Sequence, residues 1–242
     1  MKKLPVEVDI PEFLAKQALL PEATERQKVV GDWALIAYYY LLRIGEYTTK
    51  RLRNESKQTK QFKMEDVRFF AKDSRGHLRM LDWEAPDDVI MSADSATLKL
   101  DNQKNGWKAV CVHHETNGNM VYDGVKALCR RYVHVRRHMT GAKQWSTFMS
   151  AFYEDEARYD LSDSDMRTNL KWAAEVLNYP DEKGIPVEHV DTHALRMGGA
   201  NALALSGYSN TQIQKMGRWR GRWSTNTSGR SWHATSRGRA RL

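Results

Sequence analysis

Two stretches of this chain carry arginines where they could hold an oxyanion. In HALRMGGANALALSGYSNTQIQKMGRW, residues 193–219, His193 and Arg196 stand three apart at the start of a helical pattern, and Gly217, Arg218 and Trp219 close the stretch. In LLRIGEYT, residues 41–48, Arg43 ends an apolar run and Glu46 lies three residues beyond it. A guanidinium offers two aligned donors and a permanent charge, which suits the nonbridging oxygens of a phosphodiester. Each residue also has an ordinary structural reading. An arginine closing an apolar helix can serve its C-terminal dipole, a His-x-x-Arg at a helix start usually faces water, and Trp219 can be core. Glu46 could hold Arg43 across one helical turn. Other titratable groups carry less. His134 and His138 are spaced to share a helix face, but no Cys or carboxylate is placed to complete a four-ligand zinc site. His113 and His114 are adjacent in a predicted strand and so face opposite ways.

These residues need elements to position them. Residues 1–20 are proline-punctuated and read as an extended lead-in, and Glu22 to Leu42 reads as a helix that becomes apolar all round, hence buried. A polar, basic loop covers residues 48–61. FKMEDVRFF and HLRML alternate like two strands of a hairpin around Gly76. ATLKLDNQ and WKAVCVHHE flank Lys104-Asn105-Gly106, a strong hairpin signal, which puts strands at 96–101 and 107–114. Asp123 to Met139 has helical spacing. Ser164-Asp165 could cap a helix running to Leu177, ahead of Tyr179-Pro180. Thr192 could cap the helix His193 to Leu205, and Ser209-Asn210 opens a short one to Lys215. From Gly221 onward no apolar period remains.

Composition bounds the class. With 242 residues, 41% of them hydrophobic and 28% charged, the chain can build a core as an ordinary globular protein. Its longest apolar run, Trp33 to Leu42, is half of the roughly 20 residues that span a bilayer. No signal-peptide pattern opens the sequence, and two cysteines, Cys111 and Cys129, point to a reducing compartment. The net charge of +8 is misleading as a nucleic-acid signal. Residues 217–242 hold seven arginines and no acid, which leaves +1 for the rest.

Taken in order, these segments resemble the tyrosine recombinases, the phage-integrase class. Residues 193–219 resemble that family's C-terminal catalytic box in their H-x-x-R core and G-R-W, and residues 41–48 resemble its first arginine box, with a hairpin lysine between them as the family also has. The resemblance covers residues 25–219, with a flavour of the eukaryotic mobile elements of Crypton or DIRS-like type. It implies a mixed α/β (α+β) catalytic domain over residues 21–221, mostly helical with small antiparallel β-hairpins. It implies double-stranded DNA as partner and a homo-oligomer on DNA, with no metal, no cofactor, no small-molecule substrate and no membrane. An intracellular location follows, nuclear in a eukaryote. Arg43 and Arg196 would clamp the scissile phosphate and Lys104 would deliver a proton to the leaving 5′ oxygen, with Lys99 and Lys108 as competitors. His193 would accept the nucleophile's proton or brace the phosphate, Trp219 would donate its indole N–H or pack beneath the site, and Glu46 would support Arg43.

Two departures stand out. Only about twenty residues precede the first helix of the resemblance, so the family's separate core-binding domain is not expected in this chain. The nucleophile is also missing. All ten tyrosines precede Trp219, and the expected place near residue 227 holds Thr227. The register at Arg218-Trp219 is open by one residue, so either could fill the third box. Residues 222–242 read as a basic, disordered tail, which a shift of reading frame would explain. Rebuilding each codon from the last base of one and the first two of the next permits Y-I-R-E-E-L-A-C-Y-F from Asn226-Thr227 onward. That string is an amphipathic helix with a tyrosine at the family's spacing. The alternative is a divergent native tail.

Overall fold

A computed structural model describes residues 4–49, 60–100, 109–139 and 144–219. Its centre is a helix buried on every side. Helix α2 (Glu25–Tyr39) starts at a capping box, in which Thr24 Oγ1 accepts from the Gln27 N–H at 3.2 Å and Gln27 Oε1 accepts from the Thr24 N–H at 2.8 Å. Val29, Val30 and Trp33 to Ala37 are all inaccessible, as the all-apolar run predicts. Trp33 stacks on Tyr47 at 5.2 Å and 11°. The helix packs against α1 (Asp9–Gln17), α4 (Gly124–His138) and α7 (Thr192–Leu205).

Helix α1 corrects the extended reading of residues 1–20. Pro11 lies in its first turn, where the missing N–H would have had no intrahelical partner anyway, so the proline does not break it. Ile10 and Leu14, four apart, then reach the core. Ahead of the helix, the Val6 N–H donates to the Ala194 carbonyl of α7 at 3.3 Å. The lead-in is thus part of the packed body.

The two expected hairpins join into one antiparallel sheet. Its strands are β1 (Val67–Lys72), β2 (Leu78–Met80), β3 (Ser95–Leu100) and β4 (Val110–Glu115), in the order β2-β1-β3-β4, with the short helix α3 (Asp87–Met91) between β2 and β3. Phe69 and Leu98 turn inward, while Lys99 faces solvent opposite Cys111. Lys104 and Lys108 lie outside the described residues. A third hairpin, β5 (Ala151–Glu154) with β6 (Ala157–Asp160), carried no sequence signal: Asp155 and Glu156 take the positive φ values, 48° and 65°, that Asn-Gly usually supplies. Helix α5 (Asp163–Val176) is capped by Ser162, two residues earlier than expected. The chain then turns at Asn178 (φ 48°) into α6 (Tyr179–Lys183). Asp191, rather than Thr192, caps α7, and α8 (Asn210–Gly217) follows the Ser209 capping box. The architecture is α+β, helices around two small antiparallel sheets. None of the described helices is long and apolar enough to cross a membrane, and Cys111 and Cys129 are both free.

Helix α7 approaches its neighbours backbone to backbone through two glycines. A Cβ on Gly198 would stand 2.0 Å from the Val6 carbonyl oxygen, and one on Gly199 would stand 2.1 Å from the Tyr38 oxygen. Gly199→Ala should therefore force α7 off α2 and cost about 1–3 kcal/mol or more. At about 2–4 °C per kcal/mol for a chain of this size, a thermal melt should fall by several degrees.

His113 and His114 do face opposite ways. His113 is exposed, with Nδ1 2.8 Å from Thr97 Oγ1, whereas the His114 ring packs edge-on to Tyr40 at 4.5 Å. Burial pushes the His114 pKa down to about 4, helped by His113 and opposed by Asp123. Between that value and the ordinary 6.5 the unfolded chain binds the extra proton, so stability is full above pH 6.5 and lost as pH falls toward 4. His114→Gln should flatten this acid limb in melts taken between pH 7 and pH 4.5.

Candidate functional site

The site is assembled where the ends of α2 and α8 meet. Helix α2 ends at Tyr39, three residues before the expected end, because Leu41 adopts a left-handed conformation (φ 50°). That conformation is costly for a residue with a Cβ, roughly 1–2 kcal/mol. The Leu41 side chain is wholly buried among Ala200, Leu203 and Ile213, which holds it there. Arg43 is consequently not a helix-closing residue. It is extended (φ −89°, ψ 144°) at the head of a 3-10 turn, Ile44–Glu46. The turn, not an α-helical face, brings Glu46 back: its Oε2 accepts the Arg43 backbone N–H at 2.8 Å, and its Oε1 lies 3.3 Å from Arg43 Nη1.

From the other side come Arg196, on the second turn of α7, and Arg218, the residue that closes α8 in a left-handed conformation (φ 56°). Arg196 donates through Nη2 to the Gly217 carbonyl, and its guanidinium lies 4.6 Å above the Trp219 ring. Arg43 Nη2 donates to the Arg218 carbonyl at 3.2 Å. The structure thus brings Arg43, Glu46, Arg196 and Trp219 into one cluster. His193 is exposed on the first turn of α7, where its N–H donates to Asp191 Oδ1 at 2.8 Å. Thr227, like Lys104, lies outside the described residues.

The cluster is unusual electrostatically. Arg196 is 3% exposed, and both Arg218 and Glu46 are fully buried. Burial, then the charges of Arg43 and Arg218, lower the Arg196 pKa to about 9, opposed by Glu46. It stays charged at neutral pH against the repulsion of two like charges. Among the described residues its Nε has no hydrogen-bond partner, and a buried charged donor left unmatched is costly. An arriving oxyanion would relieve both the repulsion and the unmatched donor. Arg43, with 23% of its side chain exposed, is the arginine of the three that opens toward solvent.

Arg218 and Trp219 point in different directions. The Arg218 guanidinium is turned inward, onto the Tyr40, Leu41 and Met216 carbonyls and Glu46, while Trp219 carries the face that meets Arg196. Sequence reasoning did not find this inward role. Gly217 is required by the same packing: a Cβ there would stand 1.8 Å from the Trp219 ring. His134 and His138 do share a face, rings 4.6 Å apart, with His134 Nδ1 3.5 Å from Glu25. Among the described residues, no three His, Cys, Asp or Glu side chains gather as a metal site would need.

No protein-family model matches this chain, and no curated protein matches its sequence. Among solved structures it is similar to the Tn1549 transposon integrase in complex with circular-intermediate DNA, at 16% identity over 91% of this chain, TM-score 0.44. It is similar also to that integrase in complex with transposon right-end DNA, at 15% identity over 91%, TM-score 0.45. The chain spans 60% and 59% of the length of those two structures.

Gly217→Ala should displace the Trp219 indole from Arg196. We expect a changed near-UV circular dichroism spectrum and a loss of about 1–3 kcal/mol in denaturant titration.

Proposed function

We propose that this chain is a DNA recombination and integration domain of tyrosine-recombinase type that binds duplex through a phosphate clamp and does not cleave it. The observation that carries the reading is the buried Arg196 guanidinium, set beside two other arginines and one carboxylate, with its Nε unmatched among the described residues. A phosphodiester supplies both the charge and the acceptor that such a group needs. In this reading Arg196 and Arg43 hold the two nonbridging oxygens, Trp219 supports Arg196 from below, and His193 faces the phosphate from the first turn of α7. Lys104, which the sequence places between β3 and β4 and outside the described residues, would protonate a leaving oxygen. With Thr227 where the resemblance expects the tyrosine, the site would hold the phosphate without the attacking group that would form a 3′-phosphotyrosyl link. The finer points of the resemblance belong to the same proposal: a mobile-element origin of Crypton or DIRS-like type, a nuclear site of action, assembly of copies on the duplex, and a frame-shifted origin for residues 222–242.

Two measurements test it. Replacing Arg43 and Arg196 together by alanine should weaken duplex binding and make the dependence of log affinity on log salt shallower by about two. Removing residues 222–242 should leave that difference in place. If the truncation abolishes binding while the arginine pair proves dispensable, the tail is the binder and the clamp is wrong. A nicked suicide duplex should yield no protein-linked DNA, because an unactivated hydroxyl is a poor nucleophile. A covalent band mapping to any residue of this chain would overturn the reading of a non-cleaving site.

A further inference from the structure

Glu46 is shared between two arginines of very different exposure. Its Oε2 accepts from Arg218 Nη2 at 2.9 Å and from the Arg43 backbone N–H at 2.8 Å, while its Oε1 lies 3.3 Å from Arg43 Nη1. Arg218 and Glu46 are inaccessible to solvent, and the Arg43 side chain is not. A carboxylate in that position, paired with Arg43 alone, would cancel the charge of the arginine that opens outward and draw it inward. A second, buried cation prevents this. Arg218 is built to stay there, because Nη1 also reaches the Tyr40 and Met216 carbonyls at 3.3 and 3.1 Å, and Nη2 the Leu41 carbonyl at 3.0 Å. Its own carbonyl, turned by the left-handed backbone, receives Arg43 Nη2 at 3.2 Å.

We propose that Arg218 is a positioning residue for the oxyanion clamp: its guanidinium satisfies Glu46 so that the charge of Arg43 remains available to a phosphodiester, and its carbonyl aims Arg43. The identity of the ligand rests on the proposed function above; the charge balance within the cluster does not. The competing view is that Arg218 only bolts α8 to the end of α2.

The experiment compares full-length wild-type protein with R218M, R218M/E46Q and R218K. Each is measured by duplex binding across a salt series and by the nitrogen-15 NMR signal of the Arg43 side chain. Gln at position 46 keeps an acceptor for the Arg43 N–H but removes the charge. R218M should lose about tenfold in duplex affinity and about one unit of salt slope, the signature of one lost phosphate contact. R218M/E46Q should recover to within about threefold of wild type, since no carboxylate is left to claim Arg43. The Arg43 signal should move in R218M and return toward its wild-type position in the double variant. R218K keeps a cation beside Glu46 but loses the planar fork that spans the carbonyls, so it should bind within about threefold of wild type. If R218M fails to fold, R218K decides: wild-type binding supports the charge role, and lost binding supports the bolt. Equal binding by R218M and R218M/E46Q would overturn the proposal. If the Arg43 signal behaves as expected while no variant changes duplex binding, the charge balance stands and the phosphate reading fails.

Discussion

Three guanidiniums within one buried cluster can coexist only if something other than water surrounds them. Here the shell is made of backbone carbonyls from Tyr40, Leu41, Met216, Gly217 and Arg218, with the carboxylate of Glu46 among them. Carbonyls at the ends of α2 and α8 have no helical N–H to accept, so they are available to arginines at no loss of helical bonding. The negative ends of both helix dipoles point into the same place and favour the positive charge. The cluster is therefore a product of where two helices stop.

Where they stop is decided by packing. Leu41 leaves the helical conformation at a cost of roughly 1–2 kcal/mol because its side chain is clamped by Ala200, Leu203 and Ile213. Fully burying a leucine side chain is worth about 1.5–3 kcal/mol, enough to hold the strained backbone. The close approach of α7 that supplies Ala200 and Leu203 depends in turn on Gly198 and Gly199, at which no side chain fits. A chain of consequences thus runs from two glycines inside the H-x-x-R segment to the placement of Arg43, which lies 155 residues earlier than Gly198. Strain, glycine contacts and like charges all meet at the cluster, which is the pattern expected where local preferences yield to a binding role.

The sequence by itself determined the elements and the residue types. An apolar run of ten residues can only be buried, so α2 was legible, as were the antiparallel pairing of β3 with β4 and, each within two residues, the starts of the helices opened by Ser162, Asp191 and Ser209. Those signals are local: a cap, a period or a turn residue acts on neighbours in the chain. Helix α1 was hidden because a proline in a first turn looks, to a local reading, like a proline that breaks a helix. The β5–β6 hairpin was hidden because its turn uses Asp155 and Glu156 where a glycine would have announced it. Arg43, Arg196 and Trp219 could be nominated as types suited to an oxyanion and Glu46 as a support for Arg43, but the 3-10 turn that makes the Arg43–Glu46 pair, in place of a helical face, was not legible. What only the tertiary structure decided was orientation. Whether Arg218 or Trp219 faces Arg196, whether Arg43 lies on a helix or beyond its break, and which guanidinium is sealed away depend on contacts between segments distant in the chain, 172 residues apart in the case of Arg218 with Glu46. No spacing rule reaches that far, because the direction of a buried side chain is set by the neighbours that exclude water from it.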